Sequence, residues 1–290
     1  MATNELATFS QYERYYNAGG VRTRCFEKGE GEPVILLHGA GGHAETWVRN
    51  LIPLGEKFRV LAIDYLGHGF TDKPKITYNL PAFSRHLLDF MDAAGIEKAH
   101  LVGESQGGQI SVLTASEHPE RVNRLALVVG GIPSNEHGHT AGLTQLQELT
   151  REATGAPTKE TIRKRMEWLF HDPKALPDEL VDIRLKIYSN PAMQEVLQGR
   201  DRKIYHLIDK IPKLQAPLLF FWTTHNPTCP WPVAFKVHRS VPGSRFVLVD
   251  KSGHWPQYER DVEFNRTLLE FLGGSQDDLL IDTYRKLYWQ

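Results

Sequence analysis

Hydrophobic and polar residues follow two alternating patterns along this chain. Short apolar runs rich in β-branched residues predict the strands Val34–Leu37, Val60–Ile63, His100–Val102, Leu125–Val129, Leu218–Trp222 and Phe246–Val249. Amphipathic stretches lie between these runs. One of them predicts a helix, because apolar residues recur at helical spacing over Phe83–Ala94 and Gly95 follows where that helix would end. Strands that alternate with helices indicate an α/β fold, with a mostly parallel central sheet and helices on both faces.

The strand pattern disappears from about Ile132 to Pro212. This segment contains helix-prone stretches, among them Glu160–Phe170 and Glu179–Tyr188. A structureless loop of roughly eighty residues is improbable inside a compact domain, so the segment predicts an inserted helical cap. The sequence therefore predicts a core made of residues 15–131 and 213–273, a cap over residues 132–212, and one extra helix over residues 274–290.

Charge and cysteine content exclude several classes of function. The 290 residues include 34 basic and 35 acidic residues, for a net charge of −1, and such a balance does not favour nucleic acid or an anionic membrane as a partner. No basic start precedes an apolar run, and no apolar run reaches the roughly 18 residues that span a bilayer, so we expect a cytoplasmic protein without a membrane partner. Cys25 and Cys229 match neither a disulfide framework nor a zinc spacing, and we expect no metal.

A candidate nucleophile lies directly after the strand at residues 100–102. The sequence there is Gly103-Glu104-Ser105-Gln106-Gly107, followed by helix-compatible residues, and it fits the nucleophile elbow of α/β-hydrolases. The turn needs small residues two positions before and two positions after the serine, because neighbouring backbone approaches both positions. Ser105 is therefore the predicted nucleophile.

An earlier glycine-rich turn predicts an oxyanion hole. The strand PVILL ends in the sequence HGAGG, which contains Ala40 and Gly41, and the bare backbone of such a turn can direct N–H groups into a cleft. The predicted donors are the N–H of Ala40 and the N–H of Gln106, the residue that follows the nucleophile.

The predicted base is His254, in the sequence SGHWP after the last long strand, since this fold places its histidine late in the chain. The acid of the triad is expected after the strand that follows the cap, where Asn226 stands. An asparagine oxygen can accept a hydrogen bond from the histidine and orient it, but it brings no charge to stabilise imidazolium. Glu136, after the strand Leu125–Val129, is the alternative acid, and altered or lost catalysis is a further possibility.

Several motifs together resemble the meta-cleavage-product hydrolases, which cleave carbon–carbon bonds in aromatic-ring degradation. They are NAGGVRTR, PVILLHGAGG, AIDYLGHGFTDKP, the elbow, PTKETIRKRMEWLFHD, LPDELVDIR and SGHWPQYERDVEFNRTLLEFL, and the likeness runs from about Tyr15 to Leu272. The resemblance implies a dienoic diketo acid that is protonated to a ketone and then hydrolysed, with no cofactor. It also implies that Arg184 binds the substrate carboxylate, that Trp255 lines the site, and that the protein forms a homo-oligomer.

Three positions beside the expected chemistry depart from that family. Glu104 and Gln106 stand where the family commonly has asparagine and methionine, and Asn226 replaces the acid. A carboxylate at Glu104 would oppose an anionic substrate, so a carboxylesterase or lactonase acting on a neutral compound is an alternative. Two further alternatives are a ligand-binding, receptor-like protein and a cofactor-free, non-hydrolytic enzyme of the same fold.

Overall fold

A computed structural model describes residues 5–132, 141–199, 201, 203 and 205–274. The predicted alternative acid Glu136 and the predicted terminal helix beyond Gly274 lie outside the described residues. Within them, the strands are β1 Glu13–Ala18, β2 Val21–Lys28, β3 Pro33–Leu37, β4 Arg59–Ile63, β5 Ala99–Glu104, β6 Val122–Val128, β7 Leu218–Thr223 and β8 Arg245–Val249.

These strands form one sheet in the order β1-β2-β4-β3-β5-β6-β7-β8. The pairs β1–β2 and β2–β4 are antiparallel, and the remaining pairs are parallel. The six predicted strands are confirmed, and the fold class with them. The antiparallel pair at the sheet edge was missed because β1 is mostly exposed and polar, and so lacks the apolar run that the prediction relied on.

Helices connect the strands and cover the sheet. Their bounds are α1 Glu5–Ser10, α2 Leu51–Leu54, α3 Leu80–Ala93, α4 Gln106–Glu117, α5 Ala141–Gly155, α6 Lys159–Glu167, α7 Asp178–Tyr188, α8 Pro191–Gln198, α9 Leu207–Lys210, α10 Trp231–His238, α11 Pro256–Glu259 and α12 Asp261–Leu272. The predicted helix before Gly95 is α3, and Gly95 has a positive φ of 67° as its place after the helix requires.

Helices α5 to α9 lie between β6 and β7 in the chain, where the sequence predicts a cap. They contact the loops that follow several strands: the hydroxyl of Tyr188 donates to the carbonyl of Gly41 at 3.2 Å, and the N–H of His254 donates to the carbonyl of Leu169 at 2.6 Å. The division into core residues 15–131 and 213–273 and cap residues 132–212 stays a proposal, which these contacts support. Among the described residues, no helix is long and apolar enough to span a membrane.

Candidate active site

Ser105 lies in a strained turn between β5 and α4. Its backbone has φ 52° and ψ −114°, a combination that a non-glycine residue adopts only when the surrounding structure holds it. A Cβ atom at Gly103 would lie 2.4 Å from the backbone of Gly107, and one at Gly107 would lie 2.2 Å from the carbonyl oxygen of Leu37. The predicted need for glycine at both positions is therefore confirmed. The turn places Ser105 at the carboxyl end of β5, directly before the N-terminus of α4.

The predicted base and its predicted partner are in contact. Nδ1 of His254 lies 2.8 Å from Oδ1 of Asn226. The amide orientation of Asn226 is fixed from two sides, because its Nδ2 donates to the carbonyl of Cys229 at 2.9 Å and its Oδ1 accepts from the N–H of Thr228 at 3.2 Å. An amide oxygen only accepts hydrogen bonds, so Nδ1 of His254 carries the hydrogen in this contact.

The loop that follows β3 runs along the same cavity. Gly41 has a positive φ of 67°, and Ala40 lines the cavity together with Ser105. Among the described residues, the N–H of Ala40 donates to no acceptor. The hydroxyl of Tyr65 donates to Oε1 of Gln106 at 2.9 Å, which directs the side chain of Gln106 towards Tyr65. The amides of Ala40 and Gln106 stay the predicted oxyanion donors.

Arg184 and Trp255 meet on the cap side of the cavity. The guanidinium carbon of Arg184 lies 5.9 Å from the centre of the Trp255 ring, and both residues line the cavity. Arg184 is only 1% exposed, and burial lowers the pKa of its guanidinium. Among the described residues, its Nε and Nη2 have no hydrogen-bond partner. A buried donor without an acceptor is unfavourable, so this side chain is arranged to receive an acceptor from outside the chain.

A second cavity-lining arginine, Arg165, was missed by the sequence analysis. It is 5% exposed, and its Nη1 has no hydrogen-bond partner within the described part of the chain. Its Nε donates to the hydroxyl of Thr150 at 3.0 Å, and its Nη2 donates to the carbonyl of Ala40 at 3.4 Å. A usable signal was present, because Arg165 lies on the buried stripe formed by Ile162, Met166 and Leu169.

The contact between Glu104 and His254 was also not predicted. Oε1 of Glu104 lies 3.0 Å from Nε2 of His254, and the two side chains are 3% and 5% exposed. Gly39 makes room for the carboxylate, since a Cβ there would lie 2.5 Å from Oε2 of Glu104. Within the described residues, Oγ of Ser105 makes no hydrogen bond to His254. The ring nitrogen that would serve the nucleophile therefore faces Glu104 in this structure.

These residues line a cavity of about 50 Å³. In the described parts of the chain, no group of three or more His, Cys, Asp or Glu side chains could hold a metal ion.

Comparison with known proteins places the chain in a family. Residues 32–261 match the alpha/beta hydrolase fold family. A 2-hydroxy-6-oxo-6-(2'-aminophenyl)hexa-2,4-dienoic acid hydrolase from Metapseudomonas resinovorans is 30% identical over 94% of this chain and 95% of its own length. A 2-hydroxy-6-oxononadienedioate/2-hydroxy-6-oxononatrienedioate hydrolase from Paraburkholderia phymatum is 29% identical over 93% of this chain and 98% of its own length.

Solved structures show the same relationship. A meta-cleavage product hydrolase from Pseudomonas fluorescens IP01 superimposes with a TM-score of 0.78 at 28% identity, covering 91% of this chain and 98% of that chain. The family match spans most of the chain. The three similar proteins are named as hydrolases, and the likeness covers at least 95% of each of them. The chain is an enzyme of the alpha/beta hydrolase fold family, and within that family it resembles the meta-cleavage product hydrolases.

Proposed function

We propose that this enzyme hydrolyses a carbon–carbon bond of a diketo acid that arises from aromatic-ring cleavage, with Ser105 as nucleophile and His254 as base. The observation that carries the proposal is the shared cavity, in which Ser105, His254 and a guanidinium with two unpartnered donors, that of Arg184, face the same space. A hydrolytic centre beside a buried cation suits a substrate with a carboxylate close to the bond that breaks. The names of the similar proteins support this substrate class.

The reaction divides among the residues as follows. Ser105 attacks the ketone carbonyl, its proton passes to His254, and the carbonyl oxygen becomes an oxyanion. The amides of Ala40 and Gln106, on either side of that oxygen, stabilise the new charge, and Gly41 lets the loop turn beside it. The carbon–carbon bond then breaks, the leaving carbon receives the proton, and water hydrolyses the acyl-enzyme. Asn226 holds the imidazole ring in place during these steps.

The two cap arginines decide the charge balance of the cavity. Glu104 alone would repel an anionic substrate, but two guanidinium groups, Arg165 and Arg184, line the same space as its single carboxylate. Both arginines lie beside Tyr188, with guanidinium carbons 6.0 and 5.7 Å from its ring centre. The positive charges outnumber the negative one, so the cavity favours an anion. Arg184 has two free donors and can hold a carboxylate in a bidentate manner.

A second candidate is a carboxylesterase or lactonase that acts on a neutral substrate. The observation that favours it is the buried carboxylate of Glu104 beside the nucleophile. The two candidate functions require different roles of Arg184. A diketo-acid hydrolase needs this guanidinium for binding, whereas an enzyme for neutral esters should not lose ester turnover when the guanidinium is removed.

The first test is covalent labelling of Ser105. The protein is incubated with a fluorophosphonate and its intact mass is measured, with Ser105→Ala and His254→Ala as matched variants. We expect one adduct on the wild type, mapped to Ser105, none on Ser105→Ala, and strongly slowed labelling of His254→Ala. Folding of each variant is checked by thermal unfolding.

The second test identifies the substrate class. Diketo acids and neutral esters are offered to the labelling-competent protein, and products are measured by chromatography. Cleavage of a diketo acid into a dienoic acid and a second carboxylic acid supports the proposal. Turnover of esters alone would replace it with the esterase candidate. A folded wild type that is neither labelled nor active would refute both, and tight binding without product would then indicate a receptor-like protein.

A further inference from the structure

The two ring nitrogens of His254 face unequal partners. Nδ1 lies 2.8 Å from the neutral amide of Asn226, and Nε2 lies 3.0 Å from the carboxyl group of Glu104. In a serine hydrolase triad the carboxylate stands on the Nδ1 side and the nucleophile on the Nε2 side. Here the side that normally carries the charge is neutral, and a carboxyl group has been placed on the other side.

The hydrogen bonds around His254 fix how many protons this arrangement holds. Asn226 presents an oxygen to Nδ1 at 2.8 Å, and the hydroxyl of Thr228 lies 3.1 Å from the same nitrogen, so a hydrogen on Nδ1 serves the shorter contact. A second hydrogen must lie between Nε2 and Oε1 of Glu104, because two acceptors without a hydrogen would repel each other at 3.0 Å. This holds whether the proton belongs to an imidazolium beside a carboxylate or to a carboxylic acid beside a neutral imidazole. A pair with this geometry can hold one transferable proton.

We propose that Glu104 is an acid–base residue of this site, and that it supplies on the Nε2 side the negative charge that Asn226 cannot supply on the Nδ1 side. The inference rests on the proposed function, whose nucleophile and base it keeps. Three features support it: the 3.0 Å contact, the burial of both side chains, and the place of Glu104 on the cavity wall beside Ser105. In such a buried site, charge–charge interactions are stronger than in water.

The stored proton gives the pair a defined order of action. It is first transferred to a carbon of the enolate form of the substrate, so that a C–H bond forms and a ketone results. Glu104 is then a carboxylate and Nε2 is unprotonated, so the two acceptors repel each other and separate. Nε2 is then free to take the proton of Ser105 as Oγ bonds to the carbonyl carbon. The proton moves to the leaving carbon when the carbon–carbon bond breaks.

The second half of the reaction restores the pair. Water attacks the acyl group, its proton passes to Nε2 and then to the departing Oγ of Ser105, and a carboxylic acid is released from the acyl carbon. Ionisation of that acid returns one proton to the pair. The overall balance is one enolate and one water consumed, with one carboxylate and one protonated leaving group formed. Without Glu104, the first proton has no donor and the imidazolium has no counter-ion.

The inference is tested with Glu104→Gln, Asn226→Asp and the double variant. The wild type is first shown to be labelled by a fluorophosphonate and to cleave a diketo acid, since failure at this point refutes the proposed function and, with it, the inference that rests on it. We expect Glu104→Gln to lower kcat by about 100-fold with KM changed by less than about threefold, as expected for loss of an acid–base group. Its labelling rate at Ser105 should fall as well.

The decisive comparison uses Asn226→Asp, which places a carboxylate on the Nδ1 side of the His254 ring. Adding Asn226→Asp to Glu104→Gln should recover about tenfold of the labelling rate, because it returns a negative charge to the imidazole. Asn226→Asp alone should raise that rate as well, but by less than the tenfold gained in the Glu104→Gln background, since Glu104 already supplies the charge. This single variant keeps the test valid even if Glu104→Gln does not fold.

Three results would overturn the inference. A Glu104→Gln variant at least as active as the wild type would mean that Glu104 only obstructs the nucleophile. A folded Glu104→Gln variant whose lost labelling rate is not recovered by Asn226→Asp would mean that Glu104 acts through packing. A large gain in Asn226→Asp alone would mean that the wild-type imidazole lacks a counter-charge.

Discussion

Two buried clusters in this protein contain arginine side chains and differ in one respect. The Arg24 cluster consists of Arg24, His43, Glu45 and Asp64, and the guanidinium of Arg24 donates to Asp64 and to Glu45, each at 2.7 Å. The cap pair consists of Arg165 and Arg184. Arg24 is 3% exposed, so its burial matches that of the cap arginines, yet three nitrogens of the cap pair have no acceptor in the structure.

The difference separates a structural role from a binding role. In the Arg24 cluster each charge has an opposite charge within hydrogen-bond distance, and the carboxylate of Asp64 also accepts the N–H groups of Ala44 and Phe70 at 2.7 and 2.8 Å. This cluster therefore fixes loops after β3 and β4 in the folded protein. The cap pair keeps unpaired donors in a cavity, which costs stability and is useful only when a ligand supplies the acceptors.

The largest effect is expected from breaking the Arg24 cluster. Arg24→Met leaves the carboxylates of Glu45 and Asp64 buried beside each other without a cation, and we expect it to lower the free energy of unfolding by about 3–5 kcal/mol. Urea unfolding followed by circular dichroism measures this. Arg22→Met, two residues earlier on the same strand and exposed, is the matched control and should change stability by less than about 0.5 kcal/mol. Equal losses in both variants would contradict the structural role of the cluster.

The same cluster should make stability depend on pH. Burial raises the pKa of Glu45, but the attraction of Arg24 and the hydrogen bond from His43 outweigh it and bring the pKa from 4.5 to about 2. Between about pH 4.5 and 2 the unfolded chain then binds more protons at this residue than the folded one, so stability falls as the pH falls through this range. The slope is at most about 1.4 kcal/mol per pH unit for one group.

This pH dependence can be assigned to the cluster by comparing variants. Urea unfolding is repeated at several pH values for the wild type and for Arg24→Met. Without the guanidinium, the folded state no longer favours the charged form of Glu45, so we expect a shallower fall in Arg24→Met. Parallel curves for the two proteins would show that other carboxyl groups cause the acid sensitivity.

The cap pair should respond in the opposite way. Arg184→Met removes an unpaired buried charge, so we expect stability to stay the same or rise, while kcat/KM for a diketo acid falls about 100-fold. Thermal unfolding and steady-state kinetics on a diketo acid and on a neutral ester measure the two effects. An equal loss on the ester would contradict a carboxylate-binding role for Arg184.

Patterns within short stretches of sequence were sufficient to predict the features that depend on neighbouring residues in the chain. The elbow at Ser105 follows from glycine spacing, the strands follow from apolar runs, and His254 follows from its place after β8, and each lies where the sequence put it. The contact between Asn226 and His254 also agrees with the sequence. Both residues follow neighbouring parallel strands, whose carboxyl ends lie at one edge of the sheet.

The missed features depend on contacts between distant segments. The sequence identifies Glu104 as a carboxylate beside the nucleophile, but it does not tell which ring nitrogen of His254 that carboxylate meets. The position of the Glu104 carboxylate depends on Gly39, which follows a different strand, β3, and leaves space for it. The spacing of apolar residues in α6 likewise predicts which face of the helix is buried. The cavity under that face, however, depends on how the helix packs on the loop containing Ala40.

The smallest effect in this series is expected at Arg165, whose guanidinium is only partly free. Two of its nitrogens already donate to Thr150 and Ala40, and one has no acceptor. We therefore expect Arg165→Met to lower kcat/KM for a diketo acid by about tenfold, less than Arg184→Met, because a single charged hydrogen bond is lost instead of a bidentate pair.

The matched control for this variant is Arg163→Met on the same helix. Arg163 does not line the cavity and instead forms ion pairs with Glu167 and Asp178, so its removal should leave kcat/KM within about twofold. Combining Arg165→Met with Arg184→Met sharpens the comparison further. If both guanidinium groups hold one anionic end of the substrate, the second substitution should cost less in the presence of the first than alone. Independent, additive losses would instead place two separate anionic groups of the substrate on the two arginines.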